Sequence, residues 1–140
     1  MRLAVLDTNI VVSAGIQRKG APAALVMDWV LEGQVLAVTC PSIVDEYREV
    51  VRRTKFLRYR FPPLWLEFLI AESLHLPNPE EWTHPLPDPK DAPFLALARA
   101  AGAWLVTGNL RHFPKAARSG VTVLSPAEYL AHLQSSTEPR

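Results

Sequence analysis

Four stretches of this chain carry residue types that bind cations, accept protons or orient water: Asp7-Thr8-Asn9, Glu46, Asp88-Pro89-Lys90-Asp91 and Thr107-Gly108-Asn109. Asp7 says most. It ends the apolar run Leu3-Ala4-Val5-Leu6 and stands just before a second, Ile10-Val11-Val12. A carboxylate between two apolar runs needs a charge partner, a capped helix end or a metal ion, because an unpaired buried charge is prohibitively costly. The chain has no G-x-S-x-G turn and no P-loop, and its four histidines are scattered. The chemistry on offer is therefore that of acids, amides and hydroxyls.

The elements that must position these groups read as an alternation of strand and helix. Leu3–Leu6 is too short for a helix and suits a buried parallel strand, which delivers Asp7 to the carboxyl edge where open α/β sheets bind ligands. After a polar loop from Gln17 to Gly20, Pro22 opens a helix to about Glu32, with Gly33 as its stop. Val35–Thr39 is a second strand. Pro41-Ser42 starts the next helix, where Ser42 and Asp45 have capping-box spacing. Ile43, Val44, Tyr47, Val50 and Val51 give that helix one apolar face. At about 100° per residue Glu46 falls just outside one edge of the face, while Asp45 and Glu49 point away.

Pro62-Pro63 opens a further helix with Leu64, Trp65, Phe68, Leu69 and Leu76 on its apolar face. Pro77–Pro89 is a proline-rich connection without apolar periodicity, and it ends at the helical run Phe94–Ala101, stopped by Gly102. Trp104–Val106 is the next strand and delivers Thr107-Gly108-Asn109. Leu110 to Arg118 reads as irregular or briefly helical, and Val121–Leu124 as a last strand. Ser125-Pro126-Ala127-Glu128 is a capping box, with Glu128 as its acid, opening a final helix to about Leu133. This order argues for a doubly wound parallel sheet in a single domain, residues 1–133, followed by a polar tail, 134–140. With right-handed crossovers the strand ends share one edge, so Asp7 and Asn109 are neighbours if their strands are adjacent. Asp91, at a helix start, belongs on the opposite edge unless the Pro77–Pro89 connection carries that helix up beside the site.

Composition narrows the classes. The 140 residues suffice for a real core, and a net charge of +1 gives no overall field toward nucleic acid. The basic run Arg48, Arg52, Arg53, Lys55, Arg58 and Arg60, interleaved with Phe56, Tyr59 and Phe61, is local. It is either a solvated helix end or a phosphate-binding edge with aromatics for stacking on bases. One cysteine, Cys40, forms no internal disulfide and reads as a buried small residue in a reducing compartment. No leader or membrane span is visible, so a cytoplasmic location with no membrane partner is expected.

The opening V-L-D-T-N-I, a glutamate early in the helix after the second strand, D-P-K-D before an alanine- and leucine-rich helix, and the late V-T-G-N-L-R-H-F together resemble a PIN domain over nearly the whole chain. This is the nuclease fold of many toxins in bacterial and archaeal toxin–antitoxin pairs. The resemblance implies a three-layer α/β/α fold around a central parallel sheet. It implies Asp7, Glu46 and Asp91 as catalytic acids holding Mg²⁺ or Mn²⁺, with Asp88 and Asn109 as further ligands. Thr8, Asn9 and Thr107 would orient acids or waters, and Arg52, Arg53, Lys55 and Arg58 would bind RNA. The family commonly has aspartate where this chain has Asn109. That change removes one negative charge, though an amide can still coordinate through its carbonyl oxygen or hydrogen-bond a metal-bound water. Hard divalent ions take oxygen ligands and keep several waters, so hydrolysis of a phosphodiester needs neither a nucleophilic side chain nor a histidine. His112 reads as packing or surface, since no second histidine sits at metal spacing.

The function expected from the resemblance is metal-dependent cleavage of RNA, with a cognate antitoxin and a homodimer as partners. Two other readings stand beside it. Asn109 could leave an inactive module that binds RNA or protein. A haloacid-dehalogenase-like phosphatase would use Asp7 as nucleophile, but it wants a second aspartate two residues on, where Asn9 stands.

Overall fold

A computed structural model describes residues 2–17, 19–53 and 63–135. Five parallel strands form one sheet in the order β3-β2-β1-β4-β5, flanked by helices. The strands are β1 (Arg2–Leu6), β2 (Val35–Thr39), β3 (Leu74–His75), β4 (Trp104–Val106) and β5 (Val123–Leu124). Their registers pair Ala4 with Ala37 and Leu6 with Val106 on either side of β1. β1 and β2 run into one half of the sheet, and the chain then returns to place β4 on the other side of β1. The carboxyl ends of β1 and β4 thus flank the point where the strand order reverses, the crevice in which such sheets bind ligands.

Helix α1 (Thr8–Ile16) follows β1 at once, so the second apolar run is helical, with Ile10 and Val11 buried. Helix α2 (Ala21–Ala24) widens into a π-helical stretch, Leu25–Val30, whose exit is marked by Leu31 N–H on Val26 O. The regular helix expected over this segment is therefore widened, and Gly33 ends it at φ +82°. Helix α3 (Pro41–Val51) buries Ile43, Val44 and Tyr47. Its start differs from the expected capping box. Pro41 takes the first helical position, the cap falls on Cys40, and Ser42 is inside the helix with its N–H donated to Asn78 Oδ1 at 3.0 Å. Cys40 is buried.

Helix α4 (Pro63–Ala71) is shorter than expected, because Leu76 is not on it. The chain turns at Ser73 and forms the edge strand β3, which the sequence reading missed, and Leu76 N–H bonds Thr39 O just beyond β2. Two residues show no alternation, so nothing in the sequence marks such a strand. Helix α5 (Ala92–Ala101) lies against β1, β2 and β4. It buries Phe94, Leu95 and Leu97, each worth about 1.5–3 kcal/mol of transfer free energy. Two 3₁₀ turns (Leu110–His112 and Lys115–Ala117) lead to β5, which starts two residues later than expected. Helix α6 (Pro126–Ser135) opens with the expected reciprocal cap, Ser125 N–H to Glu128 Oε1 at 2.9 Å and Glu128 N–H to Ser125 Oγ at 3.1 Å. Among the described residues no helix is long and apolar enough to cross a membrane.

Candidate active site

At the reversal point Asp7 N–H continues the ladder onto Val106 O at 2.9 Å, so the residue is fixed by the sheet before its side chain does anything. The carboxylate then serves as N-cap of α1, Oδ1 accepting from Thr8 N–H at 2.8 Å. Oδ2 accepts from Thr107 Oγ1 at 2.7 Å, across the gap between β1 and β4. Asn9 ties the same two loops: its Oδ1 accepts from Gly108 N–H at 3.0 Å while its Nδ2 lies 3.4 Å from Asp7 Oδ2. Gly108 is needed for this closeness, since a Cβ there would stand 3.3 Å from Asn9 Oδ1.

Glu46 lies half-buried on α3, with Asp45 and Glu49 exposed, as the helical periodicity requires. Thr8 Oγ1 donates to Glu46 Oε2, so one threonine braces two acids, Asp7 through its amide and Glu46 through its hydroxyl. Tyr47, next along the helix and fully buried, donates to Leu6 O at 2.5 Å and pins α3 to the end of β1.

Asp88 and Asp91 exchange the roles suggested by their positions. Asp88 makes the capping bond, accepting from Lys90 N–H at 3.0 Å and opening the 3₁₀ turn Pro89–Asp91. Asp91 is N-cap of α5 by position, yet its side chain makes no capping bond. Its Oδ2 is buried without a well-aligned hydrogen bond, and its nearest partner is His112 Nδ1 at 3.0 Å. The long connection thus does bring the start of α5 to the Asp7 edge.

Asp7, Glu46, Asp88 and Asp91 line one cleft of about 550 Å³ with Thr8, Asn9 and His112, and Arg53 and Lys90 supply cations to its wall. A hollow of similar size, about 600 Å³, lies among Pro79, Trp82, Pro85, Leu86 and Pro93 and holds none of the four acids. Burial raises the proton affinity of Asp7, and Asp91 raises it further against the opposing bond from Thr107. Glu46 is raised by burial, opposed by the Thr8 bond and pushed up again by Asp7. Asp91 is raised by burial, opposed by His112, and raised again by Asp88. Each acid is thus a neighbour felt by another, the electrostatic mark of a site short of positive charge. Among the described residues no three acid, histidine or cysteine side chains stand close enough to form a ready-made cation cage.

Asn109 is not among the residues lining that cleft. Its N–H donates to Thr107 Oγ1 at 3.0 Å and its Nδ2 is 2.9 Å from His112 Nε2. Of the basic run, Arg53 reaches the cleft, Arg52 is exposed, and Arg48 is paired with Glu67 at 2.5 Å. Lys55 and Arg58 lie outside the described residues. His112, read as packing or surface rather than a ligand, is 43% exposed and lines the cleft. The 3₁₀ turn places it three residues past Asn109 and over Asp91, a relation that the V-T-G-N-L-R-H-F spacing contains but a search for metal-spaced histidine pairs does not test. Lys90 was likewise not singled out.

A family model described as PIN domain matches residues 3–111. The chain belongs to the PIN domain family. This PIN domain shares its fold with VapBC2 from Rickettsia felis bound to a DNA fragment from their promoter, at 14% identity and TM-score 0.61 over 88% of this chain and 98% of that one. FitAcB from Neisseria gonorrhoeae is 20% identical with TM-score 0.57 over 89% and 98% of the two chains. PAE2754 from Pyrobaculum aerophilum is 14% identical with TM-score 0.56 over 97% and 91%. No curated protein sequence matches this PIN domain.

Proposed function

We propose that this PIN domain is a divalent-metal-dependent endoribonuclease, the toxin component of a toxin–antitoxin pair. The observation that carries the reading is the meeting of Asp7, Glu46, Asp88 and Asp91 on one cleft at the reversal point of the sheet, each of Asp7, Glu46 and Asp91 holding its proton more tightly than usual. The donor set fits a hard cation: it is all oxygen, and Asp91 Oδ2 is buried with bonding capacity to spare. Asp7, Glu46 and Asp91 would hold Mg²⁺ or Mn²⁺, with Asp88 beside them. Such an ion, when bound, lowers the pKa of an attached water and offsets charge on the phosphate.

The chain's own residues do the rest. Thr8 and Thr107 fix Glu46 and Asp7 before any ligand arrives, so little reorganisation is left for the reaction. Arg53 and Lys90 face the cleft and would meet an RNA backbone there. The fold likeness to VapBC2 and FitAcB supports a cognate antitoxin as partner. Exposed Leu64, Phe68 and Met27, beside Trp65, give such a partner or a second copy an apolar surface. Asp7 is a poor covalent nucleophile, because both its oxygens already accept hydrogen bonds and it is 6% exposed.

Purified full-length protein should cleave single-stranded or looped RNA in Mg²⁺ or Mn²⁺, stop in EDTA and recover with added Mn²⁺. Asp7→Asn should fold but not cleave. Undiminished cleavage by Asp7→Asn, or cleavage that EDTA leaves untouched, rules the proposal out. RNA binding without cleavage at any Mg²⁺ or Mn²⁺ concentration would instead establish a binding module.

A further inference from the structure

Asn109, Leu110–His112 and Asp91 form a chain of contacts that the cation site alone does not explain. His112 Nε2 faces Asn109 Nδ2 at 2.9 Å, and His112 Nδ1 faces Asp91 Oδ2 at 3.0 Å. An amide nitrogen only donates, so Nε2 must be the accepting nitrogen of a neutral ring. The ring proton then sits on Nδ1, 3.0 Å from Asp91 Oδ2, a buried oxygen with no well-aligned hydrogen bond of its own. A carboxylate at position 109 would accept from Nε2 instead, so that contact could no longer fix the ring with its proton on Nδ1 alone.

We propose that Asn109 is a positioning residue rather than a cation ligand: it sets the tautomer of His112, whose Nδ1–H holds Asp91 toward the cleft. This accounts for the departure at 109, an amide where the family commonly has an acid, through the histidine three residues later. The turn makes the pairing local. His112 N–H bonds Asn109 O at 3.1 Å, and Phe113, fully buried, anchors the exit. Thr107 completes the connection, since its hydroxyl accepts from Asn109 N–H and donates to Asp7. One loop therefore orients acids on both sides of the cleft. Hydrogen-bond partners of this kind commonly change metal affinity by about 10–100-fold when removed.

The inference rests on Asp91 as a cation ligand, and two measurements separate it from that reading. The first is long-range ¹H–¹⁵N spectroscopy of the histidine rings in metal-free full-length protein at about pH 8.5, where an ordinary imidazole is neutral. His112→Gln identifies the signal. The wild type should carry its proton on Nδ1, and Asn109→Ala should lose that preference. A ring protonated on Nε2 in the wild type, or a tautomer unmoved by Asn109→Ala, overturns the relay whatever the protein does to RNA. The second is Mn²⁺ affinity without substrate. His112→Ala should weaken it about tenfold or more, and adding Asn109→Ala should weaken it no further, since the two act as a unit. A further tenfold loss in the double variant would make Asn109 a direct ligand and overturn the proposal. His112 is 43% exposed, so its removal opens no core cavity. Wild-type protein that binds no Mn²⁺ would sink the cation reading alone, with the ring spectra still deciding the relay.

Discussion

On one side of the cleft, Asp7 is held by the sheet itself, with its N–H in the ladder and both carboxylate oxygens bonded by Thr8 and Thr107. On the other, Asp91 ends a three-residue turn fed by a proline-rich connection, makes no capping bond and leaves Oδ2 buried without a well-aligned donor. The first acid has both oxygens bonded by the protein; the second keeps one oxygen with only His112 beside it. On the proposed function, the contrast separates a rigid side that would place a reacting group from an undersatisfied side that would attract a cation. An acid with both oxygens engaged gains less from an incoming ion than one with an oxygen to spare.

The largest effect is expected at the rigid side. Asp7→Asn should lower the single-turnover cleavage rate by about a thousandfold, the scale of losing a fixed group that acts on transition-state charge. The same change should raise the melting temperature of metal-free protein, because a buried charge disappears while one accepting oxygen remains for Thr8 and the Thr107 hydroxyl can turn to accept from the new amide. Its pH dependence has a definite sign. Asp7, Glu46 and Asp91 all bind protons more tightly in the folded state than in the unfolded one. Folding therefore loses stability as pH rises from the ordinary carboxylate range through their raised values, and none of that loss is present below it. Scanning calorimetry in chelator should show wild type and Asp7→Asn converging at acid pH and separating, variant above, toward neutrality. Parallel curves would mean that burying Asp7 carries no charge penalty.

Asp91→Asn should cost about a hundredfold in the same assay and weaken Mn²⁺ binding by a comparable factor, as for loss of one charged ligand. If it matched Asp7→Asn in rate while leaving Mn²⁺ affinity intact, the proposed division between the two sides would be wrong. Trp82 tests the support behind Asp91. It is 6% exposed within the connection, with the Arg99 guanidinium 4.4 Å from its ring centre. Trp82→Ala should destabilise by about 3 kcal/mol, and the loosened turn should lower cleavage about tenfold through misplacement. The smallest effect belongs to Gly108→Ala, whose methyl must push Asn9 by a few tenths of an ångström. A two- to threefold rate loss without a melting change is expected, and a larger one would show that Asn9 matters more than its exposure suggests.

What could be read beforehand follows the same division. Asp7 beside the end of β4 is a consequence of parallel strands and adjacency, and Glu46 at the edge of an apolar face is arithmetic on a 3.6-residue turn. Both depend on regular elements with a period. Asp91 did not, because its placement is set by thirteen residues of connection whose path has none, and β3 escaped for the same reason at two residues' length. Ser42 and Asp45 had the spacing of a cap, but Pro41 claimed the first helical position and moved the cap to Cys40. The widened turn of Leu25–Val30 has no sequence signature that we can name. His112 was visible as a residue but was weighed only between packing or surface and a metal ligand, when its contacts are with an amide and a carboxylate.

Thr107 owns a single hydroxyl proton, and it is committed to Asp7, while one of its lone pairs is committed to the Asn109 amide. That hydroxyl is a hinge pin between two segments a hundred positions apart in the chain. Protonating Asp7 leaves it less to grip, and the segment bearing Asn109 and His112 slackens with it. Charging the first acid therefore tightens the seat of the last, before any substrate has arrived.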